Sequence, residues 1–367
     1  MNDPRYDIQL PEYHVDPIAL SAGQVVDWGN VYLQAAAAHE FTRGENAVVF
    51  VLDTAGTFAD HPDLAVNNLQ EFNKNLTNSP DRDHHGHGTH CAGIVAGVDN
   101  EVGVMGIAPA AGLVACKVLN DSGGGSYMWI SQMIRYVADL EDAGRLKGKR
   151  RILSLSLGGP AGQATPSHLK SAIDYAIGRG CFIIVAAGNS GFSGGSSTVG
   201  PPGNYAPVIT VASTDQPGDR RSSFSAGGRE IDLAAPGGAI YSTHKNGGYA
   251  KLSGTSMACP QVAGVAALIL SLRSDIDSQD KLAGFLAEHA TDILQPGRDD
   301  DSGLGVPRLE RYLNVPEGNE PVTDDDETKG TPSPEDEWAP VKLMGRKRPD
   351  GSLDLRVLFY GNTNASG

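Results

Sequence analysis

Three short segments hold the residue types of nucleophilic catalysis. Val49-Phe50-Val51-Leu52-Asp53-Thr54 ends an apolar run with a carboxylate. Asp83-His84-His85-Gly86-His87-Gly88-Thr89-His90 carries imidazoles into a helix start, and Ser253-Gly254-Thr255-Ser256-Met257-Ala258 sets a hydroxyl among small residues that leave it accessible. A serine hydroxyl attacks well only when a base takes its proton, and the base needs a third group to fix its tautomer and stabilise the imidazolium. Ser256, His87 and Asp53 could divide those roles. Asn189, in Ala186-Ala187-Gly188-Asn189, adds a side-chain amide able to donate to an oxyanion. Each residue alone has a blander use: an Asp after a strand forms turns, a Ser beside Gly and Thr caps helices, and an Asn adopts left-handed turns. The set, not any member, points to catalysis.

The histidine run admits a second chemistry. His84, His85, His87, His90 and Asp83 are metal-ligand types at close spacing, so a hydrolytic zinc site is the rival reading. Against it, no HExxH helix is present and no distant cluster supplies further ligands. His90 then becomes a structural histidine, and His84 and His85 loop residues.

Positioning these groups requires a scaffold, and residues 46–290 supply its pattern: short β-branched runs alternate with helix-length amphipathic segments. Strands are expected at Ala47–Leu52, Gly112–Val118, Ile152–Leu157, Phe182–Ala186 and Val208–Val211. Helices are expected at Thr89–Ala96, Tyr127–Ala143, Pro166–Arg179, Ser256–Leu272 and Asp277–His289. The fold class is α/β, a three-layer α/β/α arrangement on a mainly parallel sheet, where sites gather at the carboxyl edge. Residues 1–22 form an N-terminal extension and 23–315 the main domain. Pro316–Glu337 has the Pro, Asp, Glu and Thr content of a solvated linker. In 338–367, Val341–Arg348 and Leu353–Tyr360 flank Pro349-Asp350-Gly351-Ser352, which predicts a β-hairpin. An isolated hairpin is marginal in water, so it should dock on the main domain, on a second subunit as in a homo-oligomer, or on further sequence.

Composition narrows the partners. The net charge of -15 argues against nucleic acid, since the one short basic cluster is Gly345-Arg346-Lys347-Arg348. No apolar run approaches the roughly 20 residues of a membrane span. The start, Met1-Asn2-Asp3-Pro4-Arg5, lacks the features of a secretory signal, which places the protein in the cytoplasm unless a leader precedes it. Cys91, Cys116, Cys181 and Cys259 lie inside apolar segments and are expected as free, buried thiols.

The motifs resemble those of the subtilisin-like serine protease family. Leu52-Asp53-Thr54, His87-Gly88-Thr89-His90-Cys91-Ala92-Gly93 and Gly254-Thr255-Ser256-Met257-Ala258-Cys259-Pro260 are similar to its aspartate, histidine and serine motifs. Ala186-Ala187-Gly188-Asn189 is similar to its oxyanion segment, and the family's order, Asp first and Ser last, is kept. The resemblance covers roughly Gln24 to Val315. It implies a serine endopeptidase acting on proteins or peptides, with Asp53, His87 and Ser256 as triad and Asn189 as oxyanion donor. It also implies substrate-flanking segments at Gly123-Gly124-Gly125 and Ser156-Leu157-Gly158, a first pocket lined by Ala186, Ala187, Gly188 and Gly200, and a fourth bordered by Tyr127 and Ile130. Structural calcium is implied at Gln24, Asp63 and Asn100 with the carbonyls of Val98, Val102 and Val104, and a weaker cation site at Gly203, Tyr205, Val208 and Asp232. Leu10-Pro11-Glu12-Tyr13-His14-Val15 resembles the short inhibitory motif of intracellular subtilisins, so residues 1–22 are expected to lie across the cleft. One extra residue before His61-Pro62-Asp63, and Ala55 where glycine is usual, depart from the family pattern. A silent peptide-binding relative and a non-peptidase hydrolase are the competing functions.

Overall fold

The computed structural model describes residues 6–10, 16–18, 23–141, 143–313, 341–347 and 353–359; the segments 16–18, 341–347 and 353–359 are described by backbone alone. Residues 11–15, the linker 316–337 and the turn 349–352 lie outside these. In chain order the strands are β1 (Ile8–Gln9), β2 (Asp16–Ile18), β3 (Val25–Val26), β4 (Ala47–Asp53), β5 (Lys74–Asn75), β6 (Val104–Met105), β7 (Gly112–Lys117), β8 (Gly124–Gly125) and β9 (Arg150–Leu155). There follow β10 (Cys181–Ala186), β11 (Ile209–Asp215), β12 (Arg220–Arg221), β13 (Leu233–Pro236), β14 (Ile240–His244), β15 (Gly248–Leu252), β16 (Val341–Lys347) and β17 (Leu353–Phe359). The helices are α1 (Trp28–Tyr32), α2 (Ala35–Ala38), α3 (His87–Ala96), α4 (Tyr127–Asp139), α5 (Ser167–Gly178), α6 (Thr255–Leu272), α7 (Gln279–Glu288) and α8 (Leu309–Tyr312).

The main sheet runs β12-β11-β10-β9-β4-β7-β5, with β13 also on β11, and only β12 is antiparallel. Side chains of a strand alternate between faces, and β4 divides accordingly. Ala47, Val49 and Val51 join one apolar cluster with α3 and α6, whereas Val48, Phe50 and Leu52 join a second with α4 and α5. β10 divides in the same way, Phe182 and Ile184 against Cys181, Ile183 and Val185. Both faces are therefore covered, which is why these strands read as continuous apolar runs and not as alternating ones.

The five expected strands and five expected helices are present, with ends that coincide or differ by up to four residues. β13, β14 and β15 were not anticipated; each is only four or five residues long, and β13 and β15 carry Ala, Pro, Gly and Lys, which strands disfavour. The 18-residue α6 is, among the described residues, the one helix long and apolar enough to cross a bilayer, but 89% of it is buried inside the protein, as a core helix. All four cysteines are free and buried. The chain divides into two compact units, Met1–Val315 and Pro316–Gly367. In the second, β16 and β17 pair antiparallel from Val341↔Phe359 to Lys347↔Leu353.

Candidate active site

Asp53 is the last residue of β4, fully buried, at the carboxyl edge of the sheet. Its carbonyl accepts the N–H groups of Val118 and Leu119 at 2.9 and 3.1 Å, and its own Oδ1 accepts Thr54 N–H at 2.7 Å. His87 opens α3 and its Nδ1 donates to Asp53 Oδ1 and Oδ2 at 2.8 and 2.9 Å. What fixes that helix start is Asp83, which accepts from Gly86 N at 2.7 Å, Thr89 N at 2.9 Å and Thr89 Oγ1 at 2.8 Å. It also accepts Thr54 Oγ1 at 2.9 Å, tying the helix to the strand that carries Asp53. Burial alone would raise the Asp83 pKa, but these donors outweigh it and hold the carboxyl below its ordinary value. Gly88 must be glycine, because a Cβ there would lie 2.8 Å from Ala55 N. Burial pulls the His87 pKa down, yet the Asp53 carboxylate more than reverses this, and the imidazole titrates well above its usual range.

Ser256 lies in the first turn of α6, where backbone N–H groups have no helical partner. Four residues on, Pro260 lacks the N–H that would bond the Ser256 carbonyl. That carbonyl instead accepts Ser156 Oγ at 2.8 Å and the Cys91 thiol at 3.3 Å, so the proline frees the helix to be pinned from both sides. The Ser256 hydroxyl donates to Ser156 O at 3.2 Å. Asn189 Oδ1 accepts both Thr255 N and Thr255 Oγ1 at 3.0 Å. Because a backbone N–H can only donate, the amide is oriented with oxygen toward Thr255, leaving Nδ2 to donate into the cleft. His87, Asn189 and Ser256 line one pocket with Leu10, Leu252, Ser253 and Met257.

Of the two segments expected to flank substrate, Gly123-Gly124-Gly125 already holds a strand. β1 pairs antiparallel with β8, Ile8 opposite Gly125 and Gln9 opposite Gly124, and Leu10 N donates to Gly123 O at 3.0 Å. Ile8 is 1% exposed in the apolar cluster that contains Leu119, Tyr127 and Ile130, and Leu10 reaches the triad pocket. β2 lies antiparallel along β15. Ser156, Leu157 and Gly158 follow β9, and Gly159 N donates to Pro201 O at 2.8 Å. A Cβ on Gly200 would meet Gly159 O at 2.0 Å, so the two walls approach this closely only because residue 200 is glycine. Ala186 closes β10, Ala187 N donates to Val211 O, and Gly188 N donates to Thr255 Oγ1 at 3.1 Å, which ties this segment to the oxyanion residue.

The expected calcium ligands converge in part. The Gln24 side-chain amide sits 2.6 Å from Val98 O, 3.2 Å from Val102 O and 3.3 Å from Asn100 Oδ1, and Asn100 Nδ2 donates to Asp63 Oδ1 at 3.0 Å. Oxygen atoms gathered about one amide group, whose O and N are interchangeable on rotation, suit a hard cation. Val104 instead gives its N–H to Asp63 Oδ2, which Tyr249 OH also bonds. At the second expected site Asp232 accepts Thr210 N at 2.9 Å and the Arg298 guanidinium at 3.2 Å, so an arginine already supplies the positive charge. Gly203 O accepts Thr210 Oγ1, and the Tyr205 hydroxyl donates to Asp174. Val208 N donates to Tyr205 O.

The histidines diverge. His90 is buried with Nε2 3.1 Å from Ile240 O and Ala250 O, and burial lowers its pKa to about 3. His85 is no plain loop residue: its ring centroid stands 6.1 Å from that of His87, a Cβ on Gly123 would lie 3.1 Å from its Nε2, and burial lowers its pKa to about 4. Among the described residues the group able to hold a metal is Asp53, His87 and Cys91, the triad pair with a neighbouring thiol. Thr255, Asp83, Thr54 and Pro260 hold the site together in roles that sequence reasoning missed. Asp83 lies three residues before the N-cap position Gly86, outside the usual capping spacing, and the Thr255 role depends on a contact across 66 residues.

A buried carboxylate on an imidazole, a serine at a helix N-terminus and an aimed amide define a nucleophilic hydrolase of α/β/α architecture. The family model for the subtilase family, peptidase S8, matches residues 44–305, and the chain belongs to this family. It is 41% identical over 257 residues to subtilisin E of Bacillus subtilis (strain 168), covering 70% of this chain and 64% of that protein. It is 41% identical over 249 residues to a subtilisin of Bacillus pumilus, covering 68% and 86%, and 40% identical over 266 residues to thermitase of Thermoactinomyces vulgaris, covering 70% and 89%. The chain thus spans about two thirds of the length of several subtilisin relatives and most of others.

Proposed function

We propose that the protein is a serine endopeptidase in which Ser256 attacks the scissile carbonyl of a protein or peptide. His87 takes the hydroxyl proton and returns it to the leaving amine, Asp53 holds the imidazole, and Asn189 Nδ2 with the Ser256 N–H donates to the oxyanion. Water then attacks the acyl-enzyme with His87 again as base. The carrying observation is the pair of bonds from His87 Nδ1 to Asp53, which leaves Nε2 on the side of the pocket shared with Ser256.

The same reading makes residues 6–10 a built-in inhibitor, because they occupy the edge where an extended substrate would add a strand. Calcium, when bound by Gln24, Asn100 and the Val98 and Val102 carbonyls, with Asp63 behind Asn100, would stiffen that loop without touching the reacting atoms. Four unpaired thiols support a reducing compartment such as the cytoplasm. The β16–β17 hairpin suits self-association into a homo-oligomer.

The test is a fluorophosphonate serine probe read by intact mass. The full chain carrying Ile8→Glu and Leu10→Glu, which places charges where apolar side chains are buried, should take one adduct quickly. The same chain with Ser256→Ala should take none. Equal labelling with and without Ser256 would overturn the catalytic assignment, and unchanged labelling between native and Ile8→Glu/Leu10→Glu chains would overturn the inhibitory one.

A further inference from the structure

Residues 6–10 reach further than the pocket beside the triad. Asp7 Oδ2 accepts the backbone N–H of Tyr127, the first residue of the 13-residue helix α4, at 3.0 Å. Ser126, the residue before the helix, accepts Trp129 N–H, so the two oxygens satisfy different orphan donors of that helix end. The Tyr6 ring lies 6.1 Å from the Trp129 ring and covers Gly124, where a Cβ would lie 2.6 Å from Tyr6 Cδ2. Ile8 and Leu10 are buried, whereas Asp7 is exposed and touches the protein through its carboxylate.

We infer that the cleft carries an extended subsite, the N-terminus of α4 beside Trp129, which selects peptides with a carboxylate three residues before the aliphatic residue that meets the triad pocket, and an aromatic ring before that carboxylate. The inference rests on the reading of residues 6–10 as an occupant of the substrate strand. Local geometry must carry this preference, because a chain of net charge -15 repels acidic peptides at long range. Partial positive charge at an exposed helix N-terminus gives about a two- to five-fold preference.

Binding of labelled pentapeptides to the full chain bearing Ile8→Glu and Leu10→Glu, followed by fluorescence anisotropy, tests it without requiring turnover. Tyr-Asp-Ile-Gln-Leu should bind about two- to five-fold more tightly than its Asp→Asn form and more tightly still than its Asp→Lys form. Trp129→Ala should weaken all three together. In the otherwise native chain, Asp7→Asn and then Asp7→Lys should label progressively faster with the fluorophosphonate. Equal binding of the three peptides overturns the subsite, and so does equal labelling of the Asp7 variants when Ile8→Glu/Leu10→Glu does accelerate labelling. Unequal peptide binding alongside unchanged labelling of the Ile8→Glu/Leu10→Glu chain would retain the subsite and remove the inhibitory role.

Discussion

At the scale of single residues, Asn189 and Thr255 act as one device. The amide can stabilise charge only if its nitrogen faces the cleft, and the two donors of Thr255 decide which way it turns. Removing the amide in Asn189→Ala should lower kcat by about 10²–10³-fold. Thr255→Val keeps the backbone donor and loses the hydroxyl, so it should lower kcat by roughly 3- to 10-fold, the worth of one hydrogen bond, with KM little changed. Steady-state kinetics on a peptide substrate reads both. His87 sets the pH dependence. It must be neutral to act as base, and its raised pKa means that kcat/KM should rise with pH through a limb above 6.5. Asp53→Asn removes the carboxylate that raises the pKa and should move the limb downward while lowering the rate, which a pH–rate profile would show.

The elements are arranged so that buried neutral groups, not only the triad, respond to acid. α3 packs on β14 and β15 through His90, whose ring is held by carbonyls of both strands. Burial lowers its pKa to about 3, while the unfolded chain binds a proton near 6.5, so its contribution is complete above 6.5 and is lost as pH falls. Between pH 6.5 and 5 this residue alone should remove about 2 kcal/mol. Thermal melts across that range should show a shallower fall for His90→Gln than for the parent chain; parallel curves would reject the account. The elements also show what could be read in advance. β4, β7, β9 and β10 announced themselves as apolar runs because both faces are covered, and the triad motifs mark the ends of β4, α3 and α6. β14 and β15 did not, since each is only five residues long and Ser242, Thr243 and Gly248 place polar groups against α3 and neighbouring loops, which breaks the apolar run. The contact of Arg298 with Asp232 was equally hidden, because the two residues are 66 apart.

Across the whole Met1–Val315 unit, the N-terminal chain is fastened where three functions meet. Gln24 stands at the loop of residues 98–104, β3 follows it and pairs with β6, and β2 precedes it on β15. Tyr249 of β15 reaches back to Asp63, so the loop, the edge sheet and the chain entering the domain share one network. A cation bound by the folded loop and not by the unfolded chain must stabilise by mass action, about 2.7 kcal/mol at a hundredfold excess over Kd. Tm should therefore climb with calcium concentration in the parent chain and fall when a chelator is added. Gln24→Ala and Asn100→Ala should each flatten that climb, because they remove oxygens from the cluster, whereas Asp232→Asn should leave it unchanged, because Arg298 already neutralises that carboxylate. Calorimetric scans of the four chains separate the possibilities: a climb that survives Gln24→Ala and Asn100→Ala but vanishes with Asp232→Asn would move the cation to the other site and reject the loop as its home.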